Sequence, residues 1–237
     1  MATERQLTVS QACAEIARLQ VDRRIDKIFI HHCWEPSADD YHGISTVAGV
    51  RRTHQRWWPI RNDNGYHIMI APNGDVFFCC AWEKVGAHAK GHNAHSIGVS
   101  YIADFGGGPG ERPPLDNPAT YAGLKAGQQI VAALCDRFEL EPEDVLFHSQ
   151  VSDKTCPGTL MNLDEYREAV RGFMSRGLKV VLLPGSSTIN CRPQIEDGVT
   201  RCDLRALAEV LGAEVIDHIS DQNKIYLRKQ KGGDADD

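Results

Sequence analysis

The chain has 237 residues, room for one good-sized domain and a small companion. Its 42% apolar and 24% charged residues are ordinary globular usage and exclude a disordered tail, a collagen-like rod and a short disulfide scaffold. A net charge of −6, from 26 basic and 32 acidic residues, argues against a dedicated nucleic-acid binder.

In chain order, Met1-Ala2-Thr3-Glu4-Arg5 leads into polar residues, with none of the pattern of a secretory signal. Leu7, Val9, Ala12, Ile16 and Leu19 form a helical stripe that Thr8 is placed to cap. Lys27 to His32 (KIFIHH) reads as a buried strand ending in two histidines, and Ser45 to Trp57 as a helix. Tyr66 to Ile70 and Val76 to Phe78 are strands joined through Asn73-Gly74, a strong hairpin signal. Ile97 to Ile102 is a further strand, and Phe105 to Pro118 a Gly/Pro-rich loop, either a lid or a tolerated surface insertion. Ala119 to Phe138 reads as a long helix with Leu124, Ile130, Val131, Leu134 and Phe138 inward. A short strand, Val145 to His148, and a helix, Leu163 to Met174, follow.

The fold class these elements imply is α/β: a central mixed β-sheet flanked by helices, with a small C-terminal α+β domain. The boundaries read as a first domain over 1–176, a second over 178–230 and a frayed tail over 231–237. The second domain begins near Leu178, where Val180 to Leu183 runs into Pro184-Gly185, and a helix over Asp203 to Leu211 and two short strands around Val215 and Ile225 are expected. No run approaches the ~18 apolar residues of a membrane span, so no membrane insertion is expected.

Eight cysteines and ten histidines are many for a chain without an export signal. The cysteine spacings are irregular, so most read as buried thiols rather than a disulfide framework. Bunched histidines beside free cysteines raise the case for a metal. Four segments carry that chemistry. In His31-His32-Cys33, strand alternation lets only one histidine face a pocket. In Gly65-Tyr66-His67, the tyrosine and histidine point to opposite faces. Gly86 to Asn93 is a small-residue loop bearing His88, His92 and Asn93, and as a bare pattern it is a turn. His148 to Cys156 places a histidine and a cysteine eight positions apart, in a loop or extended run that also holds Lys154. Each segment alone is weak.

Together, IFIHHC, GYHIMIAPNGDV, GAHAKGHNAHSIGV and HSQVSDKTCPG resemble the zinc-dependent N-acetylmuramoyl-L-alanine amidases. That family includes phage amidase-type lysozymes and animal peptidoglycan-recognition proteins. The resemblance covers roughly Ile28 to Leu163. It implies Zn²⁺ as cofactor and His32, His148 and Cys156 as its ligands. Tyr66 and Lys154 are implied as the catalytic pair beside the metal, with His88 and Asn93 lining the substrate cleft. His31, His67, His92 and His95 are left as structural or rim residues. Two imidazoles and one thiolate leave Zn²⁺ an open position, the mark of a catalytic site. The activity implied is hydrolysis of the amide between N-acetylmuramic acid and L-alanine, with bacterial peptidoglycan as partner. The rival readings are a non-catalytic recognition module, against which Cys156 speaks, and a cytoplasmic enzyme of muropeptide recycling.

Trp57-Trp58 among Arg51, Arg52, Arg56 and Arg61 is a local basic and aromatic patch, suited to sugars, anionic wall polymer or helix-end packing. Leu204 to Val215 resembles the small wall-associated repeat named after the amino-terminal domain of copper amine oxidases, with no copper ligation implied. Wall attachment is the expected role and dimerisation the alternative. The setting implied is a phage lysin made in the cytoplasm without a signal and acting on the wall after release.

Overall fold

A computed structural model describes residues 4–59, 63–106 and 118–174, and beyond them the backbone of six strands. The chain divides into two compact units, Met1–Met174 and Ser175–Asp237.

The first unit runs β1 (Arg5–Leu7), α1 (Val9–Ile16), β2 (Lys27–His32), α2 (Ile44–Trp57), β3 (Ile68–Ile70), β4 (Val76–Phe78), β5 (Ser96–Tyr101), α3 (Pro118–Phe138), β6 (Val145–Phe147) and α4 (Leu163–Phe173). The six strands form one mixed sheet in the order β1-β4-β3-β5-β2-β6. β2 lies parallel to both β5 and β6, and β3 parallel to β5. β4 runs antiparallel to β1 and β3.

Side-chain alternation sorts this sheet into two faces. Ile28 and Ile30 of β2, Ile68 and Ile70 of β3, Val76 and Phe78 of β4, and Ile97, Val99 and Tyr101 of β5 enter one core. That core also takes Ala12 and Ile16 from α1, Ile130, Val131 and Leu134 from α3, and Tyr166 and Val170 from α4. Each aliphatic side chain taken fully from water there contributes about 1.5–3 kcal/mol. The opposite face carries Met69 and Phe77, packed with Val47 and Val50 of α2 and with Ile102 in a smaller cluster. Toward β2 and β5 this second face holds Phe29, His31, Ser96, Gly98 and Ser100, and the candidate site is built on it.

Local chemistry explains the element ends. Gln11 N donates to Thr8 Oγ1 (3.3 Å) and Thr8 N to Gln11 Oε1 (2.9 Å), a capping box that starts α1. Asn162 Oδ1 accepts from Glu165 N (3.0 Å) at the start of α4, whose first turn carries Asp164 and Glu165 against the helix dipole. Between β3 and β4, Asp75 N donates to Asn73 Oδ1 (3.1 Å), and Gly74 takes a φ of 92°. Two readings of the sequence change. β1 was not expected, and Tyr66 and His67 lie ahead of β3 rather than within it, so they are placed by loop contacts instead of strand alternation.

The second unit contains β7 (Leu178–Leu183), β8 (Thr188–Cys191), β9 (Gln194–Glu196), β10 (Val199–Arg201), β11 (Ala213–Ile219) and β12 (Lys224–Lys229). Four of these form a sheet in the order β11-β12-β7-β8, with β12 parallel to β7, and β9 pairs antiparallel with β10. The expected helix over 203–211, the tail over 231–237, Arg61 and most of the 105–118 loop lie outside the described residues. Among the described residues no helix is long and apolar enough to cross a membrane.

Candidate metal centre and cleft

The second face of the sheet brings together His31 at the end of β2, His148 just after β6, and Cys156 from the following loop. One ligand atom from each lies within 4.8 Å of the other two. Cys156 Sγ is 3.6 Å from His31 Nδ1, and the His31 and His148 ring centroids are 4.6 Å apart. Tetrahedral zinc with bonds of about 2.0 Å to nitrogen and 2.3 Å to sulfur sets those two ligand atoms about 3.5 Å apart. The donor set and its spacing therefore fit zinc.

The histidine from β2 is a correction to the sequence reading. His32, expected as the first ligand, shares its strand parity with Ile28 and Ile30 and turns toward the core under α3 and α4. There its Nδ1 accepts from Phe105 N (3.2 Å), and its ring stacks on Phe105 with 9° between the planes. His31 shares its parity with Phe29 and faces the other way, toward Cys156.

Backbone contacts hold the other two donors. His148 opens a short 3-10 turn (His148–Gln150), and Ser149 N donates to Cys156 O (2.7 Å), tying that turn to the cysteine loop. Leu160 N donates to Phe105 O (3.1 Å), and Gly158, with a φ of 120°, passes so close to Phe105 O that a Cβ would lie 2.4 Å from it. Burial holds the His31 imidazole well below its ordinary pKa, reinforced by His88 and His148. Burial and then the charge of Lys154 lower that of His148. Burial pushes the Cys156 thiol up to about 11, against a backbone hydrogen bond at His32 and the charge of Lys154. Neutral imidazoles offer their lone pairs, and a thiol of this kind gives up its proton when a cation replaces it.

Tyr66 packs against this group with its ring centroid 5.1 Å from that of His31. Burial raises its hydroxyl above the ordinary value, and Ser100 hydrogen-bonds to it. It therefore stays a protonated donor at neutral pH. Lys154 is exposed at the rim, and its charge reaches both His148 and Cys156. Tyr66 also lines a cleft of about 370 Å³, with Cys33, Glu35, Asp40 and Thr53 and with Trp57 of α2.

His88 and Asn93, expected to line the cleft, are not among its lining residues. His88 stands behind His31, its Nδ1 3.1 Å from His31 Nε2. Asn93 Oδ1 accepts from His88 N (3.0 Å) and Ala89 N (2.8 Å), so its oxygen is spent in closing its own loop. His67 is buried with Nδ1 accepting from Gly98 N (3.1 Å) and Nε2 3.0 Å from Lys84 O, while His92 and His95 are exposed. Cys13, Cys33, Cys79, Cys80, Cys135 and Cys156 are all thiols. The sequence reading missed Ser100; the small and polar positions 96, 98 and 100 of β5 were the available signal.

The profile of the family described as N-acetylmuramoyl-L-alanine amidase matches residues 21–159. The chain belongs to that family. Among curated amidase-family relatives, it is 27% identical over 136 residues to peptidoglycan-recognition protein 2 of Holotrichia diomphalia, covering 56% of this chain and 67% of that protein. To peptidoglycan-recognition protein SC1a of Drosophila melanogaster it is 33% identical over 103 residues, covering 43% and 49%. To the endolysin of Escherichia phage T7 it is 31% identical over 146 residues, covering 60% of this chain and 87% of the endolysin. This amidase-family chain thus spans about half the length of the Drosophila protein, and the family match over residues 21–159 lies within the unit that carries His31, His148 and Cys156.

Proposed function

We propose that the protein is a zinc-dependent peptidoglycan hydrolase that cleaves the amide between N-acetylmuramic acid and the L-alanine of the stem peptide. The observation that carries this reading is the convergence of His31, His148 and Cys156 at zinc-ligand spacing beside Tyr66. A zinc ion held by these three supplies a Lewis acid for the scissile carbonyl and acidifies water to near neutrality. The chain's own groups do the rest. The Tyr66 hydroxyl, kept protonated by burial, donates a hydrogen bond to the carbonyl oxygen as it gains negative charge. Lys154 places a cation two residues from Cys156, where it offsets that same charge. The cleft walled by Trp57, Thr53 and Tyr66 is large enough to take part of the substrate, since ligand pockets run to about 300–1,000 Å³.

The relation to a phage endolysin favours lysis of the wall as the setting, and wall attachment is our reading of the second unit. Zinc content, measured beside mass analysis of fragments released from defined peptidoglycan, tests the reading. Stoichiometric zinc and free stem peptides with an L-alanine amino terminus are expected. A protein without metal that binds peptidoglycan and leaves it intact is a recognition module, and that result overturns the proposal.

A further inference from the structure

Behind His31 runs a line of hydrogen-bonding groups with a fixed direction. His31 Nε2 lies 3.1 Å from His88 Nδ1, His88 Nε2 lies 3.5 Å from Ser96 Oγ, and Ser96 Oγ lies 2.8 Å from the carbonyl oxygen of His92. A carbonyl only accepts, so the Ser96 hydroxyl spends its proton on His92. The hydroxyl then has only lone pairs for His88, and His88 Nε2 must be the donor. With one proton on each ring, His88 Nδ1 is left as an acceptor, and His31 Nε2 must carry the proton it accepts. That leaves the lone pair of His31 on Nδ1, the nitrogen facing Cys156.

The surroundings are shaped for the His88 ring. A Cβ at Gly98, in the middle of β5, would fall 2.6 Å from His88 Cγ and Cδ2, and one at Gly86 would fall 2.7 Å from His88 Cδ2. Glycine inside a strand weakens it unless something must approach closely, and here an imidazole does. The clamp of Asn93 on the backbone of His88 and Ala89 holds the loop that delivers the ring.

We propose that His88, oriented by Ser96 and accommodated by Gly86 and Gly98, is a positioning residue that locks His31 in the Nε2-protonated tautomer and so presents Nδ1 to the metal. The inference rests on the zinc reading above for its consequence, while the tautomer itself is a property of the metal-free chain. Partners of this kind behind a ligating histidine fix its tautomer, and losing one typically weakens metal binding by about 10–100-fold.

Two measurements test it. Nitrogen-15 NMR of the metal-free protein, labelled at histidine, is expected to find both His31 and His88 protonated on Nε2; a proton on Nδ1 of either ring overturns the chain. Zinc affinity by chelator competition is then compared among the wild type, His88→Phe and His88→Asn, with thermal unfolding as the check on folding. The phenylalanine fills the space without an acceptor and is expected to weaken zinc binding about 10–100-fold. The asparagine restores an oxygen near the place of Nδ1 and is expected to recover most of that loss. A folded phenylalanine variant with wild-type affinity, or an asparagine variant as weak as the phenylalanine one, refutes the positioning role. A wild type that takes up no zinc refutes the metal reading instead, and the NMR result still decides the tautomer.

Discussion

Substituting His31 and His32 separately sets two adjacent imidazoles with opposite parity against each other. His31→Ala removes one of three clustered donors, and losing a ligand outright must cost more than the roughly 10–100-fold typical of losing an outer partner. His32→Ala leaves that cluster intact and acts on stability instead. It strips the acceptor from Phe105 N (3.2 Å) and removes the ring stacked on Phe105. An amide left without its partner costs about 1–3 kcal/mol. At about 2–4 °C per kcal/mol for a domain of this size, the melting temperature should fall by roughly 2–12 °C. The assay is zinc retained after gel filtration, read beside thermal unfolding of each variant. His31→Ala should lose zinc, and His32→Ala should keep it while melting earlier. The reverse pattern refutes the strand parity argued for β2, and with it the ligand assignment.

Three further outcomes follow from named contacts. Dialysis against a chelator should abolish release of amino termini from purified peptidoglycan, and added Zn²⁺ should restore it; activity that survives complete metal removal counts against the mechanism. Gly127→Ala should destabilise the fold by about 1–3 kcal/mol in urea titrations, because its Cβ would lie 2.1 Å from the buried Tyr101 hydroxyl. That cost outweighs the alanine's gain in helix propensity of up to ~1 kcal/mol, and a neutral or stabilised variant refutes the packing of α3 on β5. The Tyr101 and Tyr166 hydroxyls are 2.7 Å apart, and burial raises both above the ordinary value of 10.0, so unfolded tyrosines lose protons that the folded pair retains. Stability therefore falls as pH rises past 10, faster in the wild type than in Tyr166→Phe. The variant's deficit of about 1 kcal/mol at neutral pH should narrow there, and a constant deficit rules the linkage out.

Much of the first unit was legible because its signals are local. Thr8 with Gln11, and Asn73-Gly74 with Asp75, satisfy their own neighbouring backbone groups, so a capped helix and a hairpin follow from a few adjacent residues. The stripe on α3 was legible because one face meets the core, and Ile130, Val131 and Leu134 are fully buried there. β1 was not. Its three residues pair with β4 across more than sixty positions of chain, and no periodicity can be read from so short an element. The placement of His88 behind His31 was not legible for a related reason. Its loop is a turn by composition, and only the tertiary approach to His31 and Gly98 gives the ring its place.

The exchange of His31 for His32 has the deepest cause. In a strand buried on both faces, alternation of apolar and polar residues is lost, and Ile28-Phe29-Ile30 fills both sides with apolar carbon. Nothing within β2 therefore marks which parity faces a pocket. The mark sits on its neighbour: β5 alternates Ser96, Gly98 and Ser100 with Ile97, Val99 and Tyr101, so one face is small and polar and the other apolar. Residues paired across parallel strands point to the same side, and the register sets His31 beside Ser100 and His32 beside Tyr101. The polar face of β5 thus assigns His31 to the site, but only once the register between two strands more than sixty residues apart is known. A one-residue slip would have reversed the assignment and placed His32 beside Ser100. Which histidine joins the candidate site is accordingly a property of the strand pair, and it becomes readable when the pairing is seen.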